Sequence, residues 1–275
     1  MNQLPPFGPT SASASHAVVN DPVYLSPRRV REYANRPLIA AELVLFAELK
    51  KELPGERILE LGCGAGALTE YLLTFTDDVV AIDISPAMVE HCRARFSAGD
   101  FRVGDLRGLK NLPEASFAGI VAGANVLDVL EHEERDGVLG DIRRLLAPGG
   151  LLYFSTHNRS STEALRQTRR GPRLRRERNP LQQGRALGGY VLGTVNHRRL
   201  ARRQQFEEGW AIINDSAHVW GLLHHYVTKE TQVWDLERVG LQVIGVWGTD
   251  GVQLAAGDDG AAFTELHYLA RATAS

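Results

Sequence analysis

Apolar and polar residues follow two rhythms along this chain, and the changes of rhythm mark out its elements. Residues 38–52 repeat apolar positions at helical spacing and stop before Pro54-Gly55. Short apolar runs then predict strands at 57–61, 79–83, 100–103, 117–122 and 151–156. Helical patterns fall between them at 67–75, 86–96 and 133–147. The second of these begins with Ser85 as N-cap and Pro86 at its first position. The third ends at Pro148-Gly149-Gly150, a turn into the fifth strand. Such alternation predicts an α/β fold, a doubly wound and mostly parallel sheet with helices on both faces. Ligands of such sheets sit at the C-terminal ends of the strands.

After Thr156 the rhythm breaks. Residues 157–227 show no clear alternation and read as an insertion on the substrate side. A helix at 229–239, capped by Thr228, restores the pattern. Strands at 241–247 and 263–270 follow, joined by a Gly/Asp-rich link. Residues 1–21, rich in Pro, Ser and Ala, lack the basic start and apolar centre of a signal peptide and are expected to be a disordered tail. The main domain then spans 22–275, with 22–53 forming N-terminal helices over the site.

Composition narrows the classes. The chain has 275 residues and a net charge of −2, so bulk charge argues for neither nucleic acid nor membrane. Two cysteines, Cys63 and Cys92, exclude a disulfide framework and suit a reducing cytoplasm. No apolar run reaches the roughly 18 residues of a membrane span.

The sharpest signal is Ile58-Leu-Glu-Leu-Gly-Cys-Gly-Ala-Gly66, where an apolar strand enters a turn with three glycines and a helical run follows. That unit exposes backbone N–H groups to a nucleotide-like ligand. As Gly62-x-Gly64-x-x-Ala67, with Asp83 about 20 residues on, it fits a dinucleotide fingerprint and an NAD(P)-dependent oxidoreductase. Three features point elsewhere: Glu60 in the strand ahead of the turn, Asp105 ending the third strand, and Leu146-Ala-Pro-Gly-Gly before the fifth.

With those motifs, the stretch from Arg57 to Thr156 resembles the class I S-adenosylmethionine-dependent methyltransferases, in their small-molecule type. The resemblance implies a Rossmann-like seven-stranded sheet with an antiparallel last strand and an insertion after strand five. It implies that the glycine turn passes the methionine part of S-adenosylmethionine, Asp83 holds the ribose hydroxyls and Asp105 meets the adenine amino group. One carboxylate suits two vicinal hydroxyls because it accepts two donors. The cofactor-binding set carried over is Arg36, Glu60, Gly62, Cys63, Gly64, Asp83, Ile84, Met88, Gly104, Asp105, Leu106 and Ala124. Each has a plainer reading: Asp83 as a helix cap, Asp105 as a turn starter, Cys63 as small filler, Arg36 as a surface charge.

The chain departs from the family at Phe117-Ala118, where Phe-Asp is common. It also lacks the Asn/Asp-Pro-Pro-Tyr signature after strand four, which argues against methylation of nucleic-acid bases or glutamine.

For acceptor chemistry, His157 ends the fifth strand beside the cofactor position. His132 lies past strand four, and Asp215 and His218 lie in a polar island between Trp210 and Trp220. An acceptor carrying a proton needs a base near neutral pH, the role of a histidine. The catalytic candidates are therefore His157, His218 and Asp215, with structural hydrogen bonding as the rival role. No metal is expected, because Cys63 lacks partners at ligand spacing and the adjacent His224 and His225 face opposite ways in a strand. Between Asn158 and Arg203 stand 13 arginines against 2 glutamates. A solvated face, a small anionic substrate and RNA are the readings of that run, in that order. The expected partner is a small molecule rather than a nucleic acid or membrane. A binding protein that keeps the cofactor pocket without catalysis is the remaining alternative.

Overall fold

Ile58–Leu61, just ahead of the glycine turn, is buried at every position, as a central strand covered on both faces must be. The computed structural model describes residues 17–26, 30–34 and 36–273. In chain order it runs α1 (Ala17–Tyr24), α2 (Val30–Tyr33), α3 (Ala40–Glu52), β1 (Ile58–Leu61), α4 (Thr69–Leu72), β2 (Val79–Asp83), α5 (Pro86–Arg95), β3 (Asp100–Val103), β4 (Phe117–Ala122), α6 (His132–Leu145) and β5 (Leu146–Asn158). It continues through α7 (Thr162–Arg170), α8 (Pro180–Leu200), β6 (Gln205–Phe206), β7 (Trp210–Ile213), β8 (His224–Val227), α9 (Lys229–Arg238), β9 (Leu241–Trp247) and β10 (Glu265–Ala272).

Seven strands lie in the order β3-β2-β1-β4-β5-β10-β9, with β10 antiparallel to both of its neighbours. This is the Rossmann-like arrangement expected from the sequence. Alternate residues of each strand feed two cores. Leu59, Leu61, Val80 and Ile82 face α6 and α9, packing with Leu139, Ile142 and Leu236. Ile58, Val79 and Ala81 face α3, α4 and α5, packing with Leu49, Leu72 and Val89.

Three findings depart from the sequence reading. The insertion holds strands as well as helices. His157 and Asn158 of β5 pair in parallel with Tyr226 and Val227 of β8, and β7 and β6 follow antiparallel. Because β10 occupies one edge of β5 up to His157, β8 takes the edge that β4 has already left. The sheet therefore has ten strands among the described residues. These runs escape pattern reading because β6 is only two residues long and β7 and β8 are buried throughout or nearly so, without alternation.

Second, α1 begins at Ala17, inside the stretch expected to be a disordered tail; residues 1–16 lie outside the described residues. Asn20 anchors the helix. It is fully buried, donates to the carbonyls of Val129 and Leu223, and accepts the N–H of Leu223. Third, the helix after the glycine turn is a single turn, Thr69–Leu72, because residues 64–68 are spent on the bend. Among the described residues no helix is long and apolar enough to cross a membrane.

Candidate cofactor and acceptor site

The C-terminal ends of β1 to β4 open onto one cleft, whose lining also includes Tyr24 and Tyr33 from the N-terminal helices. All twelve residues carried over by the resemblance line it, from Arg36 and Glu60 to Leu106 and Ala124. His157, Asp215 and His218 are not in its lining.

The glycine turn shows why its residue types matter. Gly62 has φ +67°, and a Cβ there would come within 2.2 Å of Val126 Cγ2. Gly64 has φ +52°, and a Cβ there would meet no atom within 4 Å, so its backbone fronts open space. Asp83 braces the turn: Oδ2 accepts the Gly64 N–H at 2.8 Å and Oδ1 accepts the Ser85 N–H at 2.8 Å. Burial raises its carboxyl above the ordinary value, and those two bonds work against the rise. Ser85 stands at the N-cap of α5, yet its hydroxyl makes no capping bond; its own N–H is the one held by Asp83.

Asp105 caps the short turn that follows β3. Its Oδ1 accepts the Arg107 N–H at 2.9 Å, and its carboxylate forms a forked pair with the Arg107 guanidinium at 2.8 and 2.6 Å. Arg36 is no surface charge: it pairs with the two oxygens of Glu42, itself buried, at 3.1 and 2.6 Å. Cys63 is buried, and the Cys92 thiol beside it, with burial, pushes its own thiol well up. It therefore stays protonated and serves as packing.

Among the described residues, two buried polar atoms in the cleft lining have no protein partner, Glu60 Oε1 and Asn125 Oδ1. Glu60 is 1% exposed, with Oε2 receiving the Thr69 hydroxyl at 2.6 Å, and burial above all pushes its carboxyl up to about 8. Ala124 and Asn125 have φ of +53° and +57°, a left-handed exit from β4 that turns their backbone along the cleft. Orphaned polar atoms, open backbone at Gly64 and carboxylates at the tips of β2 and β3 fit the donor set of S-adenosylmethionine, which carries an amino-acid end, ribose hydroxyls and a purine amine.

Beyond Asn125 lies a cluster that sequence reasoning found only in part. His157 Nδ1 stands 2.7 Å from Asp128 Oδ2, and its ring stacks on His224 at 5.0 Å. His224 Nδ1 stands 2.7 Å from Asp215 Oδ2, which also accepts the Tyr226 hydroxyl at 2.9 Å. Burial works to lower the His157 imidazole and to raise the Asp215 carboxyl. The charges opposite outweigh it in both, so His157 is held above its ordinary value and Asp215 below. Asn125 Nδ2 donates to Glu265 Oε2 at 2.7 Å. His157, Asp215 and His224 hold donor atoms within 4.8 Å of one another, close enough to surround a cation. Each already has a short hydrogen-bond partner, so the group reads as two histidine–carboxylate pairs.

His218 reaches the cleft wall indirectly, with Nε2 3.1 Å from the Tyr33 hydroxyl. It opens three successive left-handed residues, His218, Val219 and Trp220, at φ 48°, 60° and 59°. Asn214, in the same island, is a buried hub that donates to the carbonyls of Trp220 and Leu222. His132 stacks on Trp210 at 4.1 Å and bonds His225, away from the cleft. The adjacent His224 and His225 do point to different partners, Asp215 and His132. Asp128, Glu265, His224 and Tyr226 were missed as site residues. The signals were weak: one acid three residues after Asn125, one opening the last strand, and a His-His-Tyr run. Arg173, Arg175, Arg176, Arg178, Arg185, Arg198 and Arg199 lie on the surface at least in part, as a solvated face would.

Comparison with known proteins agrees with this geometry. A methyltransferase-domain family model matches residues 58–150. The ubiquinone biosynthesis O-methyltransferase of Xanthomonas oryzae is 31% identical over 120 residues, 42% of this chain and 48% of that protein. A probable S-adenosylmethionine-dependent methyltransferase of Mycolicibacterium smegmatis is 33% identical over 137 residues, 50% of this chain and 51% of its own. The chain thus spans about half the length of the curated relatives it matches. Among solved structures, the 1,6-didemethyltoxoflavin-N1-methyltransferase of Burkholderia thailandensis superposes with a TM-score of 0.58 at 17% identity, covering 97% of this chain and 94% of that one. The CcbJ methyltransferase of Streptomyces caelestis gives 0.57 at 16%, over 91% and 98%. At such identities the likeness is one of fold. With the glycine turn and the two strand-end acids, these matches show that residues 58–150 are similar to S-adenosylmethionine-dependent methyltransferases, which use S-adenosylmethionine as methyl donor, and that the chain as a whole shares their fold.

Proposed function

We propose that this chain transfers a methyl group from S-adenosylmethionine to an oxygen, nitrogen or carbon of a small molecule. The observation that carries the proposal is the single cleft that gathers the glycine turn, Asp83, Asp105 and the unpartnered Glu60 oxygen. The names of the similar proteins, a ubiquinone biosynthesis O-methyltransferase and a 1,6-didemethyltoxoflavin-N1-methyltransferase, support a small-molecule acceptor. In this reading Gly62 and Gly64 admit the amino-acid end, Glu60 meets its ammonium, Asp83 accepts the ribose hydroxyls and Asp105 accepts from the adenine. Cys63, Ile84, Met88, Gly104, Leu106 and Ala124 shape the walls, and Arg36 stands toward the carboxylate.

Bound there, S-adenosylmethionine supplies a methyl group already activated by its sulfonium. The chain's own task is alignment, exclusion of water and, for an acceptor bearing a proton, a base. We assign the base to His157, at the end of β5 and 3.5 Å from the cleft-lining Asn125. Asp215 is taken up by His224 and Tyr226, and His218 by Tyr33, so both fit the acceptor wall better than proton transfer. Acceptor charge is no part of the proposal: Arg36 and Arg107, which among the described residues are the arginines that reach the cleft, are each paired with a carboxylate.

A thermal-shift comparison tests the cofactor. S-Adenosylhomocysteine is expected to raise the melting temperature and NAD to leave it unchanged; the reverse would return the glycine turn to a dehydrogenase. A metabolite screen with methyl-labelled donor then identifies the acceptor. With that acceptor, His157→Gln is expected to lower kcat by about 100-fold or more while leaving S-adenosylhomocysteine affinity intact. Full turnover in that variant would remove the base assignment.

A further inference from the structure

Asp128 is fully buried, and its side chain is committed entirely to the end of β5 and its surroundings. Oδ2 accepts the main-chain N–H of His157 at 2.7 Å and lies 2.7 Å from His157 Nδ1. Oδ1 accepts the Thr156 hydroxyl at 2.6 Å and lies 3.7 Å from Arg135 Nε. Oδ2 already accepts the His157 main-chain N–H and Oδ1 the Thr156 hydroxyl, so the carboxylate faces the ring as an acceptor and the imidazole donates from Nδ1. The lone pair is then left on Nε2, the nitrogen nearest Asn125 and the cleft.

We propose that Asp128 is the positioning residue for methyl transfer: it fixes the tautomer and the direction of His157 so that Nε2 is the proton acceptor. The inference rests on the assignment of His157 as base. The proton leaves the acceptor for Nε2, the imidazolium so formed is balanced by the Asp128 carboxylate, and the proton passes to solvent after turnover. An acid that only orients a histidine is recognised by that division of labour, one nitrogen held as donor and the other left as acceptor, here toward Asn125 Nδ2 at 3.5 Å. Thr156 and the His157 backbone hold the carboxylate from the β5 side and Arg135 from α6, so neither oxygen is free to rotate away. The other titratable or charged groups around the ring are Asp215, His224 and Tyr226 from the insertion and Glu265 from β10.

Nitrogen-15 spectra of the histidine rings in the full chain, assigned by loss of signal in His157→Gln, read this directly. The wild type is expected to carry its proton on Nδ1 of His157; a proton on Nε2 overturns the proposal with no Asp128 variant needed. In Asp128→Asn the tautomers are expected to mix and the ring to titrate lower by about one pH unit or more, since the opposite charge is gone. The acid limb of kcat/KM should move to lower pH with it, and kcat should fall about 100-fold. Thr156→Val removes a bond to the same carboxylate but not its charge, and should leave tautomer and pH profile unmoved. An unchanged tautomer and acid limb in Asp128→Asn would reduce Asp128 to a structural staple. Turnover of His157→Gln judges the base itself, so the two readings fail separately.

Discussion

Replacing Asp83 with alanine is expected to weaken S-adenosylhomocysteine binding by about 100-fold, measured by titration calorimetry. The carboxylate at the tip of β2 does two jobs. In the structure it ties Gly64 to Ser85 through N–H bonds of 2.8 Å each, and in the proposed complex it accepts the ribose hydroxyls. Hydrogen bonds to a charged acceptor contribute about 1.5–3 kcal/mol apiece, so losing two costs on the order of 3 kcal/mol. Alanine also leaves the Gly64 and Ser85 N–H groups without their partner, so the variant's melting temperature should fall as well. Circular dichroism before the titration shows that the affinity is read on folded protein. Asp83→Asn, which keeps one acceptor oxygen, should fall between the two. An affinity within about threefold of wild type in Asp83→Ala would strike Asp83 from the site.

The second large effect is on stability at alkaline pH. Glu60 is buried and one of its oxygens has no partner among the described residues. Burial first, with the nearby Asp83 charge adding to it, holds its carboxyl at about 8, far above the ordinary carboxylate range. A group raised in the folded state contributes its stability in full below the unfolded value and loses it as pH climbs through the folded one. The wild type should therefore lose on the order of a few kcal/mol between about pH 5 and pH 9 from this group alone. Glu60→Gln keeps the shape without the ionisation, so its melting temperature should match wild type at pH 5 and exceed it at pH 9. Parallel curves for the two proteins would remove Glu60 as the cause. A ligand that brings an ammonium to the free oxygen pulls the carboxyl down again. Binding of S-adenosylhomocysteine near pH 7 should then release protons, visible as a dependence of the calorimetric heat on the buffer's ionisation enthalpy.

What could be read in the sequence was local. Strand, bend and helix within Ile58–Leu72, and acids placed at strand ends, are short-range chemistry, and the twelve residues that the resemblance carried over from them and their neighbours share one cleft. The sheet order followed from alternation plus the resemblance. What could not be read was pairing across long separations. Asp128 meets His157 from 29 residues away, Asn125 meets Glu265 from 140, and Asn20 meets Leu223 from 203. No spacing rule reaches that far: the first two contacts form where the sheet brings strand ends together, and the third where α1 packs beside the start of β8. The polar island defeated pattern reading for a second reason. Its conformation is held by Asn214, while His218, Val219 and Trp220 adopt backbone angles that their side chains disfavour.

The double pairing of His157, with Glu265 on one edge of β5 and Tyr226 on the other, has a bearing on how such a protein can change its diet. A Cα held by main chain from both sides keeps its place whatever side chains are exchanged around it. The loops and helices between residues 159 and 223 can then be lengthened, trimmed or recharged to admit a new molecule, while the main chain that carries the proposed base stays put.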